Sequence, residues 1–159
     1  MASIIFLIGT PFSGKTEYAK KHCELFEHYV RISRTDLYQI NLKNNINKNL
    51  DILNEVTNLM FNTLISYLLS KGKSIIIDDN NYCIETILYV KKVFSYNNNT
   101  VSVHTMPFTP CVVKLKNTVA KKSGKPYYEL KELETHFTKF EKLQKNLHKN
   151  KLINIINTN

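Results

Sequence analysis

Short apolar runs along the chain alternate with longer stretches in which apolar residues return every three or four positions. Residues 3–8 are apolar and partly β-branched, which predicts a strand buried on both faces. Tyr18, Ala19, His22, Cys23 and Phe26 stand at helical spacing and predict a first helix over 15–28. Tyr29-Val30-Arg31-Ile32 reads as a short second strand, and Ser33-Arg34-Thr35-Asp36 as a loop that caps the next turn. Residues 41–50, dense in Asn and Lys, read as a mobile loop. The clearest helix is expected over 51–70, apolar at Ile52, Leu53, Val56, Leu59, Met60, Thr63, Leu64, Tyr67 and Leu68, with Gly72 as its left-handed cap. A buried strand over 74–79 then ends in two acids. Residues 84–96 predict a helix and 100–106 a strand, after which Pro107 and Pro110 bracket a turn. A short helix over 110–118, a long amphipathic one over 127–148 and a last strand over 152–156 complete the pattern.

Strands separated by helices imply an α/β fold with a mostly parallel sheet of about five strands, flanked by helices. Ligands of such sheets sit at the carboxyl ends of the strands. With 159 residues and no internal repeat, 1–159 reads as one domain, with 117–127 as a short basic lid.

The chemistry concentrates on that rim. The first strand runs into Gly9, Thr10, Pro11, Phe12, Ser13, Gly14, Lys15 and Thr16, which is G-x-x-x-x-G-K-[ST] in the strand–loop–helix context the motif needs. Gly9 lets the backbone leave the strand sharply, and Gly14 has no side chain to block a phosphate. Backbone N–H groups and the positive end of the next helix face the anion. Lys15 then reaches the β- and γ-phosphates of ATP or another NTP, and the Thr16 hydroxyl holds Mg²⁺. This is the signature of a P-loop NTPase or kinase fold. Asp78 and Asp79 end an isoleucine strand where an acid near Mg²⁺ belongs, Asp78 as the metal-side group. Asn80 and Asn81 add polar groups beside them. Asp36 is placed to orient an acceptor hydroxyl and take its proton, and Arg34 beside it suits an acceptor phosphate. Lys121 and Lys122, in a basic stretch that runs to Lys125, suit a lid that closes over a triphosphate. Tyr127-Tyr128 suits either stacking on a base or packing.

Composition adjusts this picture. Twenty-two basic residues against 13 acidic ones leave a net charge of +9, which favours a polyanionic partner over a merely solubilising lysine surface. Cys23, Cys83 and Cys111 form no C-x-x-C pair, and the five histidines show no ligand spacing, so zinc and a disulfide framework are not expected. No apolar run approaches 18 residues, and the first strand has no basic flank, so neither a membrane span nor a signal peptide is expected. An intracellular protein, cytoplasmic or nuclear, fits.

Strand, Gly9-to-Thr16 loop, Ser33-Arg34-Thr35-Asp36-Leu37-Tyr38 and Ile75-Ile76-Ile77-Asp78-Asp79-Asn80-Asn81 together resemble the 5′-polynucleotide kinase branch of the P-loop kinases. The likeness continues through Val112-Val113-Lys114-Leu115-Lys116-Asn117, similar to the helix before that family's lid, and covers most of the chain. It implies ATP-dependent phosphorylation of a 5′-hydroxyl on DNA or RNA, with a role in nucleic-acid repair. Asp36 matches the family's general base, Lys15 and Thr16 its phosphate and Mg²⁺ ligands, and Asp79 and Asn81 its supporting rim element. The match at Asp36 takes a one-residue offset, which also aligns Leu37 and Tyr38; an ungapped reading puts Thr35 there. Two departures stand out. The arginine expected three residues after the base is Gln39, and no arginine follows Arg34, so Lys116, Lys121 or Lys122 would replace the lid arginine with a point charge. A small-molecule kinase acting on a nucleoside, nucleotide or metabolite, and a non-catalytic nucleotide-binding module, remain as alternatives.

Overall fold

The computed structural model describes residues 2–43, 49–79, 84–94, 100–106, 108–149 and 154–157. Its sheet is built from β1 (Ser3–Ile8), β2 (Tyr29–Ile32), β3 (Ser74–Asp78), β4 (Thr100–Thr105) and β5 (Asn154–Asn157), in the order β2-β3-β1-β4-β5. Every pairing is parallel, with Ile4 opposite Ile75 and Val101, Arg31 opposite Ile76, and Val103 opposite Ile155. The chain winds from β1 outward to β2 and β3 on one side. It then crosses to β4 and β5 on the other, so the carboxyl ends of β1 and β3 flank the crossing point.

Alternation along β1 assigns the two faces. Ile4, Phe6 and Ile8 point into a large core with Ile75 and Ile77 of β3. That core is covered by α3 (Leu50–Ser70), α4 (Ile84–Phe94) and α6 (Leu130–Lys149) through Phe61, Ile65, Ile87, Val90, Phe140 and Leu143. Ile5 and Leu7 point the other way, to Ala19 of α1 (Lys15–Leu25) and Met106. A third cluster joins Val113 of α5 (Pro110–Lys122) to Leu133 and Phe137 of α6, with Phe12 of the loop after β1 packed against it.

Several boundaries differ from the pattern. Helix α1 stops at Leu25, three residues early, because Phe26 leaves the helical region at φ −129° and ψ 87° and the chain turns into β2. The expected loop at 33–36 is the start of α2 (Arg34–Lys43), so its cap is neither Thr35 nor Asp36. The Ser33 hydroxyl accepts from the Asp36 N–H at 3.3 Å and its carbonyl from Leu37, making Ser33 the N-cap and Asp36 a first-turn residue. Residues 41–43 belong to α2, where buried Asn41 donates to Thr57 Oγ1 at 3.0 Å. Asn49 and Leu50 of the expected loop are the N-cap and first residue of α3, while 44–48 lies outside the described residues, as do Pro107 and Asn80 to Cys83.

Helix α3 is where expected but turned. Leu53, Thr57, Phe61 and Ile65, four residues apart, form its buried line, while Ile52, Leu59, Leu64 and Tyr67 face outward. The helix is apolar around most of its circumference, so periodicity alone selects no face. Helix α5 runs on to Lys122 behind Pro110 at its first position, and Gly124 at φ 68° follows it. Lys121 and Lys122 are therefore helical, not part of a free basic loop. Helix α6 begins at Leu130, leaving Tyr127 and Tyr128 in the connection. No described helix is long and apolar enough to cross a membrane.

Candidate functional site

The loop after β1 has the conformation of an anion cradle. Phe12 at φ 62° and Gly14 at φ 93° turn the backbone left-handed, and Gly14 passes directly into α1. A Cβ on Gly9 would collide with Ser13 Oγ and lie 2.9 Å from Met106 Cβ, so the close turn at the end of β1 requires glycine. Phe12 is anchored by an edge-to-face contact with Tyr128 at 6.1 Å and by the third apolar cluster. That contact settles one open reading: Tyr128 is packing. Its backbone is held at both ends by Asn117, whose Nδ2 donates to the Tyr128 carbonyl at 2.9 Å and whose Oδ1 accepts from its N–H at 2.8 Å.

Lys15 turns back over this cradle. Its Nζ donates to the Gly9 and Thr10 carbonyls at 2.8 and 2.9 Å, and the side chain is buried. Burial lowers its pKa from 10.5 to about 8, against the pull of Asp78 and Asp79, which raise it. The Thr10 and Ser13 hydroxyls are buried without hydrogen-bond partners. Such orphaned donors fit a polyanion in the loop. A cleft of about 420 Å³ opens there between Phe12 to Glu17 and Lys116. Lys116 enters it by donating to the Phe12 carbonyl at 3.3 Å. The lid lysines of the sequence reading are engaged elsewhere. Lys121 pairs with Glu129 at 3.5 Å and lies over the Tyr127 ring at 4.7 Å, and neither it nor Lys122 lines the cleft.

The acidic residues meet at the ends of β2 and β3. Asp78 is buried, and its Oδ2 accepts from Arg31 Nε at 2.6 Å. Asp36, in the first turn of α2, accepts from Arg31 Nη1 at 2.6 Å. Arg31 was not assigned a role from the sequence; a charged residue inside a four-residue strand, two positions from Tyr29 and so on the α1 face, was the available signal. Asp79 accepts from Thr35 Oγ1 at 3.3 Å and pairs with Arg34 at 3.6 Å. The Arg34 guanidinium also lies over Phe61 at 4.7 Å. Arg34, Thr35, Tyr38, Asn54, Asn58 and Asp79 line a second cleft of about 210 Å³, with Thr57 at its wall. Gln39 is exposed on α2 and does not line it, whereas Tyr38 does. Asn81 lies outside the described residues.

Thr16, exposed in the first turn of α1, and Asp78 supply hard oxygen donors of the kind Mg²⁺ takes. Arg31 engages only Oδ2 of Asp78, so the donor set and the adjoining phosphate cradle fit the ion.

A parallel five-stranded sheet in this order, with the cradle after β1, a buried lysine behind it and acids at the end of β3, is the fold shared by P-loop NTPases and kinases. No family model and no curated protein matches the chain. Solved structures do. A chain of the Pnkp1/Rnl/Hen1 RNA repair complex superposes with a TM-score of 0.76 at 16% identity, over 91% of this chain and 46% of that one. A Chloroflexus aurantiacus protein provisionally described as a kinase gives 0.68 at 13% identity, over 85% and 74%. A chain of the PezAT toxin–antitoxin system of Streptococcus pneumoniae gives 0.62 at 14%, over 99% and 69%. This chain thus spans less than half the length of the RNA-repair chain it resembles.

Proposed function

We propose that the protein is an ATP-dependent polynucleotide 5′-hydroxyl kinase, its 1–159 segment acting as one kinase domain with 117–127 as the lid. One observation carries this reading: Lys15 and the orphaned Thr10 and Ser13 hydroxyls face a phosphate cradle while Asp78, Asp79 and Asp36 gather at the neighbouring strand ends.

The γ-phosphoryl group lies against Lys15 and the loop N–H groups, with Lys116 at the mouth of the cleft. The acceptor oxygen bonds to the γ-phosphorus as its bond to the β–γ bridging oxygen breaks, and ADP leaves with that electron pair. The acceptor proton passes to the Asp36 carboxylate, whose Oδ1 is not used by Arg31. Thr16 and Asp78 would hold Mg²⁺, which would supply charge neutralisation on the phosphate oxygens. Arg34, between Asp79 and the second cleft, offers its guanidinium to an acceptor phosphate. Lys121 and Lys122 stay the lid cations of this reading, reaching the triphosphate only if the lid closes. The net charge of +9 supports a polyanionic acceptor.

The test is transfer of labelled phosphate from ATP to DNA and RNA oligonucleotides bearing 5′-hydroxyl ends. Asp36→Ala should lose about 100-fold or more of the rate with ATP binding retained. A nucleoside or other small acceptor is the second reading, favoured by the 210 Å³ second cleft. Activity on a nucleoside but not on an oligomer decides for it. ATP binding without transfer to any acceptor leaves a nucleotide-binding module.

A further inference from the structure

The chain holds two arginines, Arg31 and Arg34; every other basic residue is lysine. Both arginines sit at the acidic rim, and both pair with its carboxylates. In a chain that otherwise uses lysine, that placement marks positions where a point charge does not serve. Lysine carries one compact ammonium on a flexible stem, whereas guanidinium presents several donors in a rigid plane.

Arg31 uses that plane in an unusual way. It does not fork onto one carboxylate. Nε goes to Asp78 on the neighbouring strand and Nη1 to Asp36 on the following helix, each at 2.6 Å. The side chain is 20% exposed, Asp78 is 3% exposed and Asp36 56%. Asp78 in turn acts electrostatically on Lys15. The order is therefore Lys15, Asp78, Arg31, Asp36, running from the phosphate cradle to the acceptor-side aspartate.

We propose that Arg31 is a positioning residue that locks Asp36 and Asp78 into one rigid unit, so that the donor-side and acceptor-side carboxylates keep a fixed separation. The proposal rests on the kinase reading for its kinetic consequence, but not for the existence of the clamp. Burial of the guanidinium opposes its charge, yet the hydrogen bonds it donates to Asp36 and Asp78 outweigh that cost and raise its pKa above the usual value. Among the described residues β2 pairs with β3 alone and is the outer strand of the sheet, so Arg31 also ties the start of α2 to the interior of the sheet.

The test has two arms. The first reads the clamp without activity. With only two arginines, the ¹⁵N spectrum shows two Nε–H signals, and Arg34→Lys removes one. The remaining Arg31 signal should be shifted downfield and protected from solvent exchange, and Asp78→Ala, which removes the acceptor, should remove that protection. An Arg31 Nε–H that exchanges like an exposed arginine overturns the proposal. The second arm reads transfer. Arg31→Lys keeps the charge and should lower kcat about tenfold or more while the KM for ATP stays within about twofold. The same replacement in an Asp36→Ala background should cost little, because the clamp has lost its second partner. Millimolar guanidinium should restore part of the rate to Arg31→Gly, an effect that repair of a purely structural defect does not produce; nucleotide binding confirms that this variant is folded. Full activity of Arg31→Lys, or additive losses in the double variant, overturns the proposal. Absence of transfer by the native chain sinks the kinase reading instead, and the spectrum then decides the clamp alone.

Discussion

At the scale of single residues, Lys15 carries the sharpest expectation. In the proposed function its charged form binds phosphate, and burial brings its pKa down to about 8. Below that pH the ammonium is intact and triphosphate affinity is full. As pH rises through it, the free protein loses the ammonium, so affinity should fall and binding should take up a proton. Calorimetry at pH about 8.5 in two buffers of different ionisation enthalpy measures that uptake; equal apparent enthalpies would contradict the burial of Lys15. Replacement by Ala should weaken ATP binding about 100-fold. Gly9→Ala tests the loop geometry rather than the charge. The new methyl group meets Ser13 Oγ and Met106 Cβ. It should lower stability by about 1–3 kcal/mol in thermal unfolding and weaken nucleotide binding along with it. Unchanged stability would mean that the turn relaxes freely.

At the scale of elements, two side chains decide how helices meet the site. Ser33 caps α2 and so sets where Asp36 begins its first turn. Asn117, buried in α5, holds the Tyr128 backbone and through it the ring that packs on Phe12. Asn117→Ala leaves a donor and an acceptor of Tyr128 without partners and should cost about 1–3 kcal/mol in denaturant unfolding. Because Phe12 belongs to the phosphate loop, the same variant should loosen nucleotide binding severalfold; a stability loss with unaltered binding would show that the connection does not support the loop. The elements themselves were largely legible from periodicity. The orientation of α3 was not, because Ile52, Leu59, Leu64 and Tyr67 satisfy a helical stripe as well as Leu53, Phe61 and Ile65 do. The length of α5 was not legible either, since its last turn ends in two exposed lysines, its Val119 faces outward and the residue it buries is the small Ala120.

At the scale of the whole molecule, the charge of +9 should act on long acceptors more than on short ones. If a single-stranded oligonucleotide engages about four phosphates, its KM should rise about 50-fold between about 50 and about 200 mM salt, while a dinucleotide changes far less. Equal salt dependence of the two would place the basic surplus away from the acceptor. The sheet order supports the directionality of this expectation: the cradle, Asp36 and the acids of β3 all lie at the carboxyl ends of parallel strands, so donor and acceptor approach one rim.

The sequence by itself determined the phosphate loop, the parallel α/β alternation and the acids at the strand ends. These are local matters: a glycine spacing, an apolar period, a residue that follows a strand. Only the tertiary structure decided which cations serve them. Arg31 reaches Asp78 across 47 positions, and Lys116 reaches Phe12 across 104. No local period records such distances, because partner choice between long side chains is settled by strand order, helix length and burial once the chain has closed.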